Sequence, residues 1–147
     1  MTRRYWDACT FLGWLKGEDD KIAECRSVIE EAVSGKLQIV TSALTLAEVL
    51  WLTQGKRIPR DDRNKVRECF AHSWIVLWEL DRQIAERAQE VVWEHNIEPK
   101  DSVHVATALA VGAQQLDTFD APLIRRDGKI DNLRIGRPEI EGKLPLT

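Results

Sequence analysis

The chain has 147 residues, 44% of them apolar and 31% charged, with 21 Lys and Arg against 24 Asp and Glu for a formal net charge of -3. This composition describes one compact domain with a mixed-sign surface, too short for a second full domain and too apolar for disorder. The slight negative charge excludes an overall basic molecule of the kind that binds nucleic acid non-specifically, but leaves open where charges cluster.

The opening Met1-Thr2-Arg3-Arg4-Tyr5-Trp6-Asp7 meets an acid too early for a secretory leader, and no run approaches the ~18 apolar residues of a membrane span. Cys9, Cys25 and Cys69 are odd in number, widely spaced and without a CxxC pair, which argues against both zinc and a disulfide framework. A reduced, cytoplasmic protein is expected.

Arg3 to Trp6 reads as a first strand, and Ala8 to Lys16 as a helix for which Asp7 is the natural cap. Apolar residues at Ile22, Cys25, Ile29, Ala32 and Val33 recur at helical spacing, and Gly35 ends that helix. Leu37 to Thr41 is a second strand. Ala43 to Gln54 reads as an apolar helix, opened by a capping box of Thr45 and Glu48 and stopped at Gly55. After Pro59, Arg60 to His72 is a charged, exposed helix. The run Trp74-Ile75-Val76-Leu77-Trp78 lacks alternation, so a strand buried on both faces is expected. Ile84, Ala88, Val91, Val92 and His95 mark an amphipathic helix, Ser102 to Ala113 an apolar one with Gly112 near its end, and Gln115 to Phe119 a further strand. From about Arg137 the chain reads as a terminal extension. Strand and helix alternation of this kind gives an α/β domain with a parallel sheet and crossover connections, whose ligands lie beyond the carboxyl ends of the strands.

Four acids fall at those strand ends or helix starts: Asp7, Glu48, Asp101 and Asp120. Singly, each is explained by capping or turn formation. Jointly they ask for more, because Asp7 and Glu48 are embedded in apolar sequence, and burying an unpaired polar group costs on the order of 2 to 7 kcal/mol. A divalent cation would compensate, and a set of hard carboxylate oxygens favours Mg²⁺ or Mn²⁺ over Zn²⁺.

The segments Tyr5-Trp6-Asp7-Ala8-Cys9-Thr10-Phe11-Leu12, Thr41-Ser42-Ala43-Leu44-Thr45-Leu46-Ala47-Glu48-Val49, Asp101-Ser102-Val103-His104-Val105-Ala106-Thr107-Ala108 and Thr118-Phe119-Asp120 resemble the PIN-domain ribonucleases. More narrowly, they resemble the VapC-type toxins of toxin-antitoxin modules. The resemblance implies a PIN-like (Rossmann-like) parallel sheet flanked by helices, a single domain over residues 1–147. It also implies that Asp7, Glu48, Asp101 and Asp120 converge around Mg²⁺ or Mn²⁺ as the catalytic and metal-site carboxylates, supported by hydrogen bonds from Ser42 and Thr118. The family usually has an apolar residue before the threonine, and here it is Asp117. That leaves two acids for one place, of which Asp120, just past the strand, fits better.

The implied activity is metal-assisted hydrolysis of RNA phosphodiesters by a type II toxin, with an antitoxin, a homodimeric state and an RNA substrate as partners. Alternatives of other kinds are a PIN nuclease of RNA processing without an antitoxin, and a catalytically silent PIN-like binding module. A receiver domain or a haloacid-type phosphatase fits poorly, since Asp7 is followed by Ala8 and Cys9 rather than by a second acid in the required place. RNA contacts are expected from Arg125 and Arg126, and from Arg4 with Arg3. Lys56 and Arg57 could add phosphate contacts, whereas the Arg60 to Arg67 helix, with Asp61, Asp62 and Glu68 interleaved or beside it, reads more simply as a solvated mixed-charge face. Of the six tryptophans most read as core rather than as base-stacking surfaces, with Trp14 and Trp51 placed to join a partner groove. His104, one helical turn after Asp101, reads first as a packing side chain and second as a neighbour of the acids.

Overall fold

A computed structural model describes residues 1–52 and 55–140. Its centre is strand β1 (Thr2–Trp6), which pairs in parallel with β2 (Leu37–Ser42) on one side and β4 (Gln115–Asp117) on the other. Strand β3 (Ile75–Trp78) lies outside β2, and β5 (Ile135–Gly136) outside β4, which gives the order β3-β2-β1-β4-β5. Helices α1 (Ala8–Leu15) and α2 (Asp19–Val33) connect β1 to β2. The short α3 (Thr45–Glu48), a 3-10 turn at Arg60–Asp62 and α4 (Arg63–Ala71) connect β2 to β3. Helices α5 (Arg82–His95) and α6 (Pro99–Ala110) return the chain to β4, and α7 (Ala121–Ile124) leads on towards β5.

Alternation along the strands divides the core into two layers. Tyr5, Val40 and Leu116 face α5, α6 and the segment after α7, whereas Trp6 and Ile39 face Phe11, Cys25, Val28 and Phe70 of α1, α2 and α4. The chain builds outwards from β1 to β3 and then comes back to the other side of β1, so the strand order reverses between β1 and β4. In an open parallel sheet, the crevice beyond the strand ends at such a reversal is where ligands bind.

Several expectations need correction. The apolar helix expected over Ala43 to Gln54 is only the four residues of α3. Beyond it the chain folds back on itself through a Trp51–Arg57 bridge, with Leu52 N–H donating to the Lys56 carbonyl (2.7 Å) and Ile58 N–H to that of Leu50 (2.9 Å). Gln54, the expected end of that helix, lies outside the described residues. The capping box is not formed: Leu44 is the N-cap, and the Thr45 hydroxyl bonds Thr41 Oγ1 instead (2.7 Å). Strand β3 is an edge strand with Leu77 40% exposed, so it is not buried on both faces. Helix α6 starts three residues before Ser102 because Glu98 caps it and Pro99 occupies its first turn. The start of the expected extension packs back on the domain, with Arg137 paired to Glu24 and lying over the Phe119 ring at 4.8 Å. The rest of the extension, with Gly142 and Pro145, lies outside the described residues. The two-residue strand β5 was too short to be read in the sequence.

Candidate active site

The β1–β4 crevice is built around Asp7. This residue ends the first strand and caps α1, and its buried carboxylate is saturated with donors. Oδ1 accepts from the Thr10 amide (3.1 Å) and the Cys9 thiol (3.1 Å), with the Thr10 hydroxyl at 2.9 Å. Oδ2 accepts from the Thr118 hydroxyl at 2.6 Å. Thr118, just past β4, also accepts the Asp120 amide (3.1 Å), and Asp120 in turn caps α7 through Oδ2 and the Leu123 amide (3.0 Å). The apolar setting of Asp7 is therefore answered by hydrogen bonds, without requiring a cation for that purpose.

Glu48 closes α3, and its Oε1 lies 2.6 Å from His104 Nε2. The other ring nitrogen of His104, Nδ1, lies 2.6 Å from the Tyr5 hydroxyl, which accepts from the Ser42 amide (3.1 Å). Asp101 stands in the first turn of α6, and its carboxylate takes no hydrogen bond from a described residue. Asp7, Glu48, Asp101 and Asp120 line one cavity of about 270 Å³, together with Lys100, His104 and the 62% exposed Trp51.

The charges in this cavity act on one another. Burial pushes the Asp101 carboxyl up to about 6, and the negative charges of Glu98, Asp120 and Asp7 add to the shift. Burial alone would lower the His104 pKa, but the hydrogen bond to Glu48 and the charges of Asp7, Glu48 and Asp101 outweigh it, and the net direction is upward. Burial and the neighbouring Asp7 hold the Cys9 thiol up at about 12, so it is a proton donor and no nucleophile at neutral pH. Cys25 and Cys69 are buried free thiols, as expected of a chain without disulfides.

Among the described residues, no three His, Cys, Asp or Glu side chains form a ready-made metal-ligating group. The donors fit the way Mg²⁺ is held, by one or two carboxylates with water and substrate phosphate completing the octahedron. Asp101, Glu48 Oε2 and Asp120 Oδ1 are the cavity oxygens left without a protein donor among the described residues.

Some sequence expectations meet a different geometry. Asp117, the alternative to Asp120, does not line the cavity. It is fully buried on the Arg4 and Trp6 face of the sheet, where Oδ1 accepts from Arg4 (2.7 and 3.0 Å) and Gln115 (2.9 Å), and Oδ2 from Trp6 Nε1 (2.8 Å). Burial pushes its carboxyl up, and these donors pull against that shift. Because every neighbour is a donor, the acceptor-only ionised form matches the geometry. The same contact removes Arg4 from any RNA surface, since it is 4% exposed. Arg3 is likewise engaged, through the Val111 carbonyl (3.1 Å). Ser42 touches none of the acids; its hydroxyl accepts the Leu44 amide (3.1 Å) at the start of α3. Arg125 and Arg126 follow α7 without lining the cavity. Among the described residues Lys100 is the basic side chain that lines it beside His104, and its place next to Asp101 was the available signal. Trp6 and Trp14 pack edge to face in the core, and Trp14 meets Trp74, whereas Trp51 and Trp93 are exposed rather than buried.

Residues 4–129 match the PIN domain family. The chain belongs to this family. No curated protein matches it significantly by sequence. Solved structures show the same fold at low identity. VapC20 of Mycobacterium tuberculosis, described as a toxin cleaving the sarcin–ricin loop, superposes with a TM-score of 0.63 at 16% identity, over 80% of this chain and 90% of that one. A toxin–antitoxin complex from Klebsiella pneumoniae gives 0.62 at 19% identity, over 93% and 99%. VapBC2 from Rickettsia felis, solved bound to a fragment of promoter DNA, gives 0.67 at 17% identity, over 91% and 97%. The fold of this PIN domain is thus that of VapC toxins. Among the described residues, no helix is long and apolar enough to cross a membrane.

Proposed function

We propose that this PIN domain is a Mg²⁺- or Mn²⁺-dependent endoribonuclease acting as the toxin of a toxin-antitoxin pair. The observation that carries the reading is the meeting of four carboxylates, Asp7, Glu48, Asp101 and Asp120, in one cavity at the strand-order reversal. A fold needs no such cluster, and the raised pKa of Asp101, caused by burial first and by the neighbouring negative charges second, marks a cost that cation binding would relieve.

When bound, a divalent cation would supply positive charge to the phosphoryl oxygens and make a nearby water a stronger acid. The chain's own residues do the rest. Asp7, fixed by Thr10, Cys9 and Thr118, holds the floor of the cavity in one orientation. Glu48 and Asp120 each keep one oxygen turned from their protein partner and available to the cation's shell. Asp101, whose carboxylate takes no hydrogen bond from a described residue, lines the same cavity and is the group placed to accept a proton from water there. Lys100 at the rim meets the RNA backbone, and Arg125, exposed one turn beyond Asp120, extends that contact.

The antitoxin is proposed by likeness to the two toxin–antitoxin assemblies of the same fold. A homodimer is proposed on the apolar groove between α5 and α6, which Ala85, Ala88, Val92 and Val103 line together with a Trp93 that is 73% exposed. A cytoplasmic location agrees with the three free thiols. The test is cleavage of RNA by the purified chain with Mn²⁺ or Mg²⁺, repeated in EDTA. Cleavage that survives EDTA contradicts the mechanism.

A further inference from the structure

Of the four cavity acids, Glu48 has the least support from its own element. Asp7 and Asp120 cap helices through their carboxylates, and Asp101 stands on the twelve-residue α6. Glu48 ends a four-residue helix that has no side-chain cap, and its carboxylate has one protein partner among the described residues, His104.

The bonding around His104 determines which nitrogen carries the proton. The Ser42 amide donates to the Tyr5 oxygen at 3.1 Å, so the phenol's own proton is available to the histidine. In the neutral ring Tyr5 then donates to Nδ1 (2.6 Å), and the ring proton sits on Nε2, facing Glu48 Oε1 at 2.6 Å. Both rings are essentially closed to solvent, with Tyr5 0% and His104 1% exposed, so water does not compete for either nitrogen.

We propose that His104 is a positioning residue for the metal site: oriented by Tyr5, it presents Nε2–H to Glu48 Oε1 and thereby turns Glu48 Oε2 towards the cavity. This rests on the metal-dependent reading above. It ties α3, β1, the end of β2 and α6 into one chain of hydrogen bonds, with His104 one helical turn from Asp101, so the two acids move as a unit. Partners of this kind around ligating carboxylates are worth about 10- to 100-fold in metal affinity.

The experiment measures Mn²⁺ binding calorimetrically in the intact chain, with far-UV circular dichroism confirming the fold. His104→Asn removes the donor at Nε2 and is expected to weaken binding by about 10- to 100-fold. His104→Gln carries an amide N–H to nearly the same place and should restore most of the affinity. In a Glu48→Gln background, His104→Asn should cost less than about a further twofold, because its effect runs through Glu48. Should the asparagine variant not fold, the unmutated protein still decides: ¹⁵N–¹H correlation at pH 8 must find a proton on His104 Nε2. Wild type that binds no Mn²⁺ contradicts the metal-dependent reading and this inference with it. Three results overturn the inference alone while the metal reading stands: wild-type affinity in His104→Asn, the same loss in the Glu48→Gln background, or a ring protonated only on Nδ1.

Discussion

The Thr118 hydroxyl donates to Asp7 Oδ2 at 2.6 Å across the β1–β4 boundary, between residues 111 positions apart. Thr118 Oγ1 also accepts the Asp120 amide, so one buried side chain sets the spacing of two cavity acids that belong to different strand ends. Replacing Thr118 by Val keeps its shape but leaves a buried carboxylate oxygen and a backbone N–H without their partner. We expect a loss of about 1 to 3 kcal/mol in urea unfolding, and weaker Mn²⁺ binding in the folded variant.

Asp117 and Arg4 form a buried ion pair outside the cavity, with side chains 0% and 5% exposed. Truncating one partner strands the other's charge. Arg4→Met should therefore destabilise by about 3 to 5 kcal/mol. Asp117→Asn, which keeps the volume, should lower the unfolding midpoint yet leave the Mn²⁺ affinity of the folded protein close to wild type. A variant of Asp117 with intact stability and lost metal binding would place this acid in the site instead of Asp120.

The pH dependence follows from Asp101. Its carboxyl is raised from the ordinary 3.8 to about 6 by burial, then by Glu98, Asp120 and Asp7. Between those values the metal-free folded state binds more protons at this residue than the unfolded chain does, so its contribution to stability falls as pH rises through the window. Thermal unfolding of Asp101→Asn should lose that component of the pH profile. Metal binding must displace the same proton, so affinity should drop as pH falls below about 6, and binding near that pH should release protons to the buffer.

Lys100 lines the cavity, while Arg4 is buried. Lys100→Ala should weaken RNA binding and reduce the slope of log affinity against log salt by about one unit, without a measurable change in stability. An unchanged slope would remove Lys100 from the RNA contact.

What the sequence revealed, and what it concealed, follows from the range of the interactions. Asp7 and Asp120 were legible because capping is local: each bonds an amide three residues on. The parallel sheet was legible from alternation of apolar strands and helices. Glu48 lines the cavity from the end of a helix much shorter than the one expected over Ala43 to Gln54. Leu46, Ala47, Val49 and Leu50 look helical, yet the chain reverses after Trp51 because Leu50 and Leu52 bond Ile58 and Lys56 across a turn, with Gly55 at φ +71. The pairing of Glu48 with His104, 56 residues away, leaves no local trace. The choice between Asp117 and Asp120 turned on strand direction. Arg4 and Trp6, two apart in β1, point the same way and capture Asp117, which leaves Asp120 for the cavity.

The central claim is that the carboxylate cluster exists for chemistry and not for folding, and Asp101 tests it most directly because its side chain supports no described hydrogen bond. The measurement is Mn²⁺-dependent RNA cleavage by Asp101→Asn beside its thermal unfolding at pH 7. Cleavage should fall by at least about 100-fold, while the metal-free variant unfolds at or above the wild-type temperature, since a charge disfavoured by burial and by its acidic neighbours has been removed. Wild-type cleavage by a folded Asp101→Asn protein would contradict the account.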